Sequence, residues 1–595
     1  RAMVTAFLEY EFLKGLTFSA SGNIDYSQSN LNKYTPGVFD EYHNESKSEG
    51  NIGRQVMLSS EELLHYNASV NDVHNIDVLL GVNTNKEQAF SMYGYGLRGV
   101  SDDVYYYNPQ KVPPVVNHGT PEFPDYAATR YYSSDFTEKR MVSYFGRLGY
   151  NYKQRYLLEF TFRRDGSSTF GEGNRWANFP SVAVGWSFSE EPFIKRLTGG
   201  WLNWGKIRGS YGKSGQTFTS AYLAHGLMNI MDKSFFGKTG ITTDKPVSPY
   251  LTWEKTRQYD LGLDMDMFNY RLNVKLDYYY KYTSSLIYDI PIPGSLYTFG
   301  AQVENAMEIS NEGLELELQA DILRESAVSW RMKFNMARNW NRFEKSYSGK
   351  DVVDGDGTLL VVGRPLNGLY VWAHRGYYNS DAEVPRLYKI DGQEIYFNGV
   401  ATNGISGAVG DYRLLDLDGD GNPDSYYAGS PLPLAHGGWV NELMWRNFDL
   451  NVLVNFTIGR KMINNRMGLG FSRQSEDGHL TKLFDYRKLR PWDGVNKKPN
   501  APAWGNSLSM NTDSAIEKVH HLALKQITLG YNLPDRISKK AGLSGVRFFL
   551  TAENLFYLSN YSGGNPEVVN IYTGRDNGDT YPLPRKYTLG LTLNF

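Results

Sequence analysis

The sequence predicts an all-β chain that folds as a transmembrane antiparallel β-barrel. Alternating apolar and polar residues dominate the chain, the links between these segments alternate between short and long, and no run of about 18 or more apolar residues is present. Because no such apolar run is present, helical membrane spans are excluded. A barrel nevertheless crosses a bilayer at a mean hydropathy of −0.47, because only alternate side chains of its strands face lipid.

The composition narrows the possible functions. The formal net charge of −2 over 595 residues gives no basic surface for nucleic acid. There is no cysteine, which excludes disulfide scaffolds, thiolate metal sites and cysteine nucleophiles. Aromatic residues make up 14% of the chain, an excess that is typical of membrane barrels and also of glycan-binding β-proteins.

Each predicted strand has one apolar and one polar face. The clearest hairpin joins 258–267 to 272–283 through Asn269-Tyr270, and a similar strand covers 448–458. Strand lengths of about 10–15 residues fit a tilted bilayer crossing better than a soluble sheet. We expect the last strand to close the barrel, with an apolar face formed by Tyr587, Leu589, Leu591, Leu593 and Phe595.

Short and long links alternate without exception over about seventeen predicted strands. The short links are at 13–15, 71–75, 151–154, 190–200, 269–270, 324–326, 446–447 and 534–545. The long links are at 30–50, 93–138, 165–174, 216–252, 291–305, 346–433, 459–518 and 560–585. Outer-membrane barrels have short periplasmic turns and long external loops, so this pattern predicts a periplasmic C-terminus. Such barrels need an even number of strands, so we expect further strands before Arg1.

Motifs along nearly the whole chain resemble the signature of one transporter family. They are RRDGSSTF at 163–170, NRW at 174–176, FPSVAVGW at 179–186, IRGSYGKSG at 207–215, WEKT at 253–256, NEGLEL at 311–316, ITLGYNLP at 527–534, ENLF at 553–556 and YPLPR at 581–585. In this order they resemble the SusC/RagA-type TonB-dependent transporters of Bacteroidetes outer membranes.

The resemblance implies a 22-stranded barrel, of which this chain would form strands six to twenty-two. It also implies an N-terminal plug domain and a TonB-contacting segment, and neither is found in this sequence. Through that missing part, TonB, ExbB and ExbD would drive import. The resemblance further implies a SusD-like surface lipoprotein as a lid, outer-membrane lipid around the barrel, and a location in the bacterial outer membrane.

The long loop at 346–433 contains an Asp/Gly-rich motif that resembles a calcium loop. Its candidate ligands are Asp416, Asp418, Asp420, Asn422 and Asp424. They match positions 1, 3, 5, 7 and 9 of such a loop, and Gly421 supplies the tight turn. Position 12, where a Glu normally completes the shell, is Tyr427. We therefore expect a weak structural Ca²⁺ site, or alternatively an Asx-bonded turn without metal.

No catalytic residue is predicted, and we expect neither enzyme activity nor an organic cofactor. The string GYGLRG at 94–99 spells G-x-G-x-x-G, but no amphipathic helix is predicted after it, so an ordinary glycine loop is the better interpretation. Metalloprotease and hydrolase motifs are missing. Acidic residues are spread over all polar faces, so no hydrolytic pair of carboxylates is assigned.

Loop aromatics are the candidate substrate-binding residues, because sugars stack on Tyr and Trp rings. The candidates are Tyr105, Tyr106 and Tyr107 in one loop, and Tyr370, Trp372, Tyr377 and Tyr378 in another. Packing within the loops, or contact with a partner, is the alternative for each of them.

The expected function is TonB-dependent import of oligosaccharides under a SusD-like lid. Oligopeptides are the alternative cargo, because the resemblance covers both and its motifs do not report the cargo. Two other classes stay open: a soluble secreted glycan-binding or glycan-cleaving β-protein with a calcium loop, and a passive porin or adhesin.

Overall fold

The structure, a computed structural model, consists mainly of β-strands. Seventeen strands of nine or more residues occur in the part of the chain that it describes. In chain order they are β1 (Ala2–Leu13), β2 (Leu16–Thr35), β3 (Lys47–Val70), β4 (His74–Leu97), β5 (Arg130–Tyr152), β6 (Tyr156–Ser167), β7 (Trp176–Trp186), β8 (Leu202–Gln216), β9 (Glu254–Met267), β10 (Leu272–Pro291), β11 (Ala301–Leu323), β12 (Val328–Lys345), β13 (Ala435–Trp445), β14 (Phe448–Asn464), β15 (Ile516–Asn532), β16 (Gly545–Ser559) and β17 (Lys586–Asn594). The described residues are 1–39, 45–98, 115–118, 126–217, 220–226, 228–235, 238–243, 246–293, 300–324, 326–353, 359–384, 386–388, 394–396, 409–415, 417, 424–465, 490–495, 498–503, 512–578 and 580–595.

Helices are few and short within these ranges. One α-helix covers Pro192–Thr198 and another covers Asp535–Ser538, and each lies in a link between two long strands. None of the described helices has the length and apolarity that a membrane crossing requires.

The chain forms two compact units. Unit 1 comprises Arg1–Trp186, Ser210–Gln258 and Thr283–Met307. Unit 2 comprises Ser187–Gly209, Tyr259–Tyr282 and Glu308–Phe595.

In unit 1, strands β1 to β7 pair antiparallel with their neighbours in chain order. The β3–β4 hairpin pairs without interruption along its whole length. Its turn places Asn71 and Asp72 at φ 54°, in the left-handed region that hairpin turns require. Asn and Asp tolerate this region better than most residues, so the local sequence favours this turn and the register that follows from it.

One face of β6 has the residue order of a membrane-spanning strand. From one end to the other it presents Tyr156, Leu158, Phe160, Phe162 and Arg164. These side chains are exposed, and Phe160 alone exposes 47% of its surface. Arg164 lies over the Trp176 ring, 5.2 Å from its centroid. An exposed apolar strip with an aromatic ring at one end and an Arg–Trp pair at the other is typical of lipid-facing strands.

A buried aromatic core in unit 1 joins two of the sequence motifs. Phe170 of the RRDGSSTF motif and Trp253 of the WEKT motif are buried, with ring centroids 5.0 Å apart. The Trp253 indole N–H donates a hydrogen bond to the Arg175 carbonyl at 3.1 Å. These motif residues therefore pack against each other and hold the link 168–175 in place.

In unit 2, antiparallel pairing joins β11 to β17 in chain order. One face of this sheet, the apolar face, carries a row formed by Trp330, Leu443, Leu450, Leu529, Leu550 and Leu589. The other face, the polar face, carries a row formed by Glu442, Asn451, Thr528, Thr551 and Thr588. A slip of one residue would exchange the two faces, so this alternation specifies the register.

The last strand, β17, pairs with β16, and Leu589 lies opposite Leu550. Its predicted apolar face is exposed throughout, and Leu589 exposes 82% of its surface. The strand and its alternation are confirmed. Its role in closing a barrel stays a prediction.

Three details of the sequence prediction are wrong. The links 187–201 and 533–544 contain the two helices and are longer than the link 168–175, so link length does not alternate without exception. Strands β3 and β4 have 24 residues each, more than the predicted 10–15, whereas a tilted crossing needs only about 9–11. Gly94 and Gly96 belong to β4 and not to a glycine loop.

Candidate functional site

Tyr370, Trp372 and Tyr377 lie on two short antiparallel strand pairs in unit 2, and Tyr378 directly follows the second pair. Leu369–Trp372 pairs with Ser425–Gly429, and His374–Tyr377 pairs with Tyr412–Leu414. A buried apolar cluster supports the first pair and consists of Leu369, Val371, Ala428, Ile463 and Ala515. This part of the loop is therefore a packed substructure that holds its aromatic rings in fixed positions.

Tyr370 and Trp372 are half-buried in this substructure. The Tyr370 ring lies 5.7 Å from the Tyr427 ring, and the Arg364 guanidinium lies over Tyr427 at 5.0 Å. Burial raises the pKa of Tyr370 to about 12, so its phenol is neutral at physiological pH. Partly exposed neutral rings suit stacking against the apolar face of a sugar.

Tyr377 stacks on Tyr412, with ring centroids 5.4 Å apart and an interplanar angle of 24°. The imidazole of His374 meets the Tyr412 ring edge to face at 4.6 Å and hydrogen-bonds the Asp513 carboxylate. The other oxygen of that carboxylate accepts a hydrogen bond from the Tyr426 hydroxyl at 3.2 Å. These contacts join the loop 346–434 to the end of the link 465–515.

Tyr378 is the least accessible of the four candidates. It is 6% exposed, and its backbone N–H donates to the Asp411 carbonyl at 3.0 Å. This burial favours packing within the loop over substrate contact. The other candidate group, Tyr105, Tyr106 and Tyr107, lies outside the described residues and stays a prediction.

The predicted calcium ligands are only partly covered by the structure. Asp416, Asp418, Asp420 and Asn422 lie outside the described residues. The Asp424 carboxylate accepts a hydrogen bond from the Leu417 N–H. The backbone N–H of Asp424 donates to the Leu415 carbonyl at 3.0 Å, so this end of the motif is held by hydrogen bonds across the turn. Calcium binding stays a prediction.

Unit 2 also contains a cavity that the sequence patterns did not predict. We call it the polar cavity; its volume is about 770 Å³, and it lies between strands β11–β15 and residues of the link 560–585. Its polar lining includes Lys333, Asn335, His436, Asn455, Thr457, Arg460, His521 and Glu567. Pockets of about 300–1,000 Å³ commonly hold small ligands, so this cavity is the candidate solute-binding site.

Two β-bulges lie in strands that line this cavity, and one of them places Arg460 in its lining. In β14 the register shifts between Thr457 and Arg460, where Gly459 has φ 74°. The shift places Arg460 on the polar face, although even-numbered residues before it lie on the apolar face. In β15 the register shifts at Lys525 in the same way.

Glu567 connects the link 560–585 to β15. Its carboxylate oxygens lie 3.6 Å from His521 Nε2 and 3.3 Å from Lys525 Nζ. His521 most strongly, and then Lys525, hold the pKa of Glu567 below its ordinary value, against the opposing effect of burial. The carboxylate is therefore ionised at neutral pH and pairs with the ammonium group of Lys525.

Sequence reasoning missed Arg460 and Glu567 because it placed them in the long links 459–518 and 560–585, whereas β14 continues to Asn464. It missed Lys525 because it treated each strand as an uninterrupted alternation. The sequence signal that could have identified the positions of Arg460 and Lys525 is local. A glycine directly before Arg460, and a lysine that separates Leu524 from Gln526, both break the period of two. Such breaks indicate bulges, and bulges often lie beside functional sites.

A family model described as TonB dependent receptor-like, beta-barrel, matches residues 1–452. The chain is 27% identical over 627 residues to TonB-dependent receptor P3 of Formosa agariphila. This alignment covers 98% of this chain and 57% of that protein. It is 30% identical over 492 residues to TonB-dependent receptor SusC of Bacteroides thetaiotaomicron. This second alignment covers 79% of this chain and 45% of SusC. The chain thus spans about half the length of these relatives.

Solved structures show the same fold. The RagAB peptide transporter has a TM-score of 0.80 at 22% identity, over 100% of this chain and 61% of that one. The RagAB peptide importer in its open-open state has a TM-score of 0.78 at 20% identity, over 100% of this chain and 60% of that one.

Proposed function

The chain belongs to the family of TonB-dependent receptor-like β-barrels, and we propose that its protein imports oligosaccharides across the bacterial outer membrane. The polar cavity carries this proposal. It offers amide, hydroxyl and imidazole groups on the polar face of the sheet, and a loop of the same unit holds partly exposed aromatic rings.

The sheet around the cavity suits an uncharged, hydrated solute, because its charges pair with one another. Lys333 pairs with Glu442 at 2.8 Å, and Arg331 pairs with Asp321 at 2.7 Å. Paired charges leave little net field to attract an ionic solute. The neutral groups between them suit the many hydroxyls of a sugar, which both donate and accept hydrogen bonds.

Several features beyond the cavity complete the proposed function. Tyr370, Trp372 and Tyr377 supply stacking surfaces in the loop, and Ca²⁺ bound by Asp416–Asp424 stiffens that loop. A SusD-like lipoprotein closes over the loops and retains the substrate. TonB, ExbB and ExbD supply energy through the N-terminal part of the protein. Outer-membrane lipid covers the apolar faces of the strands. The proposed function includes no catalytic step.

Oligopeptides are the alternative cargo. The cavity lining also includes Glu317 and Lys333, whose opposite charges would pair with the termini of a peptide. The RagAB structures, named as a peptide transporter and importer, share the fold. The internal pairing of Lys333 with Glu442 favours the neutral solute.

Uptake by the full-length protein tests the proposal. A strain that lacks its own copy is complemented with the gene, and the uptake of labelled oligosaccharides and oligopeptides of matched length is compared with and without a protonophore. We expect oligosaccharide uptake that the protonophore abolishes. Uptake of peptides alone would transfer the assignment to the alternative, and uptake of neither would reject the proposal.

A further inference from the structure

We propose that Arg460 is a positioning residue that fixes the segment 565–571 as a rigid wall of the polar cavity, and thereby sets which oligosaccharides fit. The fixed wall follows from the contacts of Arg460 alone. Its effect on the cargo rests on the proposed function.

Arg460 binds three carbonyl groups of one short segment. Its guanidinium donates to the carbonyls of Pro566 at 3.1 Å, Val569 at 2.9 Å and Asn570 at 2.7 Å. Arg460 is 5% exposed, so its hydrogen bonds to Pro566 and Val569 are buried, and the one to Asn570 is partly buried. A planar guanidinium presents five N–H donors in a fixed arrangement, and this explains how one side chain holds three backbone positions.

The segment itself is preorganised to receive this side chain. Pro566–Val568 forms one 3₁₀ turn, and the Asn565 side chain caps it by accepting from the Glu567 N–H at 3.0 Å. The Asn570 side chain accepts from the Tyr572 N–H at 2.7 Å. Both asparagines bend the backbone so that its carbonyls converge on one point.

Apolar packing also fixes the same segment. Val569 is 4% exposed and belongs to a buried cluster formed by Met462, Val519, Tyr561 and Val569. Met462 lies two residues after Arg460 on β14. The bulge at Gly459 therefore places both the hydrogen-bonding and the packing partner of the segment on the polar face.

The position of the segment determines the shape of the cavity. Glu567, Val569 and Ile571 line it from the segment, opposite residues of the β-strands. Removal of the guanidinium would leave the buried Val569 carbonyl without this donor, whereas the Pro566 and Asn570 carbonyls also accept from the backbone N–H groups of Val569 and Gly574. The loss costs free energy until the segment moves to reach water. A lysine keeps the charge but has a single nitrogen, so it cannot reproduce the three-point contact.

Thiol labelling tests the fixed wall. The 595 residues contain no cysteine, so Val569→Cys introduces a single buried thiol in this chain. In the full-length protein we expect Arg460→Ala to speed maleimide labelling of that thiol at least about tenfold, and Arg460→Lys to have a smaller effect. Tenfold corresponds to about 1.4 kcal/mol of lost local stability.

Two controls separate local opening from general unfolding. Val371 is 1% exposed and belongs to a different buried cluster, so Val371→Cys reports on the rest of unit 2. Arg547→Ala removes another arginine of the polar face that pairs with Asp449. We expect neither the Val371 thiol in Arg460→Ala nor the Val569 thiol in Arg547→Ala to become more reactive. The inference would be overturned if Arg460→Ala left the labelling rate of Val569→Cys unchanged, or if it raised the labelling rates at positions 569 and 371 equally.

Transport tests the consequence for the cargo. For oligosaccharides that the wild-type protein imports, we expect Arg460→Ala to raise the KM of uptake about tenfold while the maximal rate stays within about twofold. A lower maximal rate with unchanged KM would overturn the role in fitting the cargo. If the wild-type protein imports no oligosaccharide, the proposed function fails, while the labelling result still decides whether Arg460 fixes the segment.

Discussion

Arg547 of β16 forms an ion pair with Asp449 of β14 at 2.6 Å, although β15 lies between their strands. Gly530 of β15 makes this contact possible. A Cβ atom at Gly530 would lie 2.4 Å from Asp449 Oδ1 and 2.6 Å from Arg547 Nη2, so any side chain there would displace the pair. The glycine of the ITLGYNLP motif thus leaves a gap in which charged side chains of two non-adjacent strands form an ion pair.

The same arrangement occurs elsewhere in unit 2. The Arg208 guanidinium lies over Gly262, where a Cβ atom would approach its carbon to 2.4 Å. Arg208 contacts Asp264 at 3.1 Å and Asp277 at 2.5 Å, so one cation bridges three strands. Glycines on the polar face therefore have a packing role in addition to backbone freedom.

Gly530→Ala is expected to destabilise the protein by about 1–2 kcal/mol, because the added methyl group separates Arg547 from Asp449. The pair is partly exposed, which limits the effect. Urea unfolding, followed by heat-modifiable mobility on gels, measures the change. Gly22→Ala is the matched control, since nothing lies within 4 Å of its Cβ position, and we expect a change within about 0.5 kcal/mol. Equal costs of Gly530→Ala in wild-type and Asp449→Asn backgrounds would contradict this explanation.

The strands were predictable because their signal is repeated and local. In β17 every second residue from Tyr587 to Phe595 is apolar, and that period alone defines the strand and its two faces. The short turns were predictable for the same reason: Asn71-Asp72 and Asn269-Tyr270 adopt positive φ between long periodic segments. The family resemblance, inferred from motifs such as RRDGSSTF, is confirmed by the matching family model and by the relatives, SusC included.

The polar cavity was not predictable because it depends on contacts between distant parts of the chain. Arg460 and Asn570 are 110 residues apart in sequence, and no periodicity connects them. The bulge at Gly459 reverses the face on which Arg460 lies, so a strict alternation places this residue on the wrong side. The aromatic candidates were found by residue type alone, and only the structure separates buried Tyr378 from half-buried Tyr370.

The contact of Glu567 with His521 and Lys525 is expected to depend on pH. The pKa of Glu567 is lowered in the folded state from its ordinary value of 4.5, so the folded state favours the ionised carboxylate. The stabilisation is fully present above pH 4.5 and is lost as the pH falls through the lower folded pKa. We expect wild type to be more stable than Glu567→Gln at pH 7, with a difference that decreases towards pH 3. Urea unfolding of both proteins across this range measures it, and a difference that does not change with pH would count against the ion pair.

The motif at Asp416–Asp424 is expected to bind Ca²⁺ with a Kd of about 10⁻⁴–10⁻³ M, because Tyr427 replaces the bidentate ligand at position 12. Titration calorimetry measures this affinity. Asp418→Ala and Asp420→Ala each remove one carboxylate and are expected to weaken binding at least tenfold. Asp381→Ala, an acidic residue in the same loop but outside the motif, is the control. Equal affinity in all four proteins would show that the motif is an ordinary turn.

Phe160 and Glu159 are neighbours on β6 with side chains on opposite faces, and they give a direct test of which face meets lipid. Phe160 lies in the middle of the exposed apolar strip between Tyr156 and Arg164, so Phe160→Arg places a charge near the bilayer centre and is expected to cost about 2–4 kcal/mol. Glu159→Arg, on the other face, is expected to cost less than about 1 kcal/mol. Folding into lipid vesicles at increasing urea concentration measures both. If this sheet were soluble, Phe160 at 47% exposure would tolerate arginine as well as its neighbour does. A large cost at position 160 together with a small one at position 159 therefore requires lipid on the apolar face.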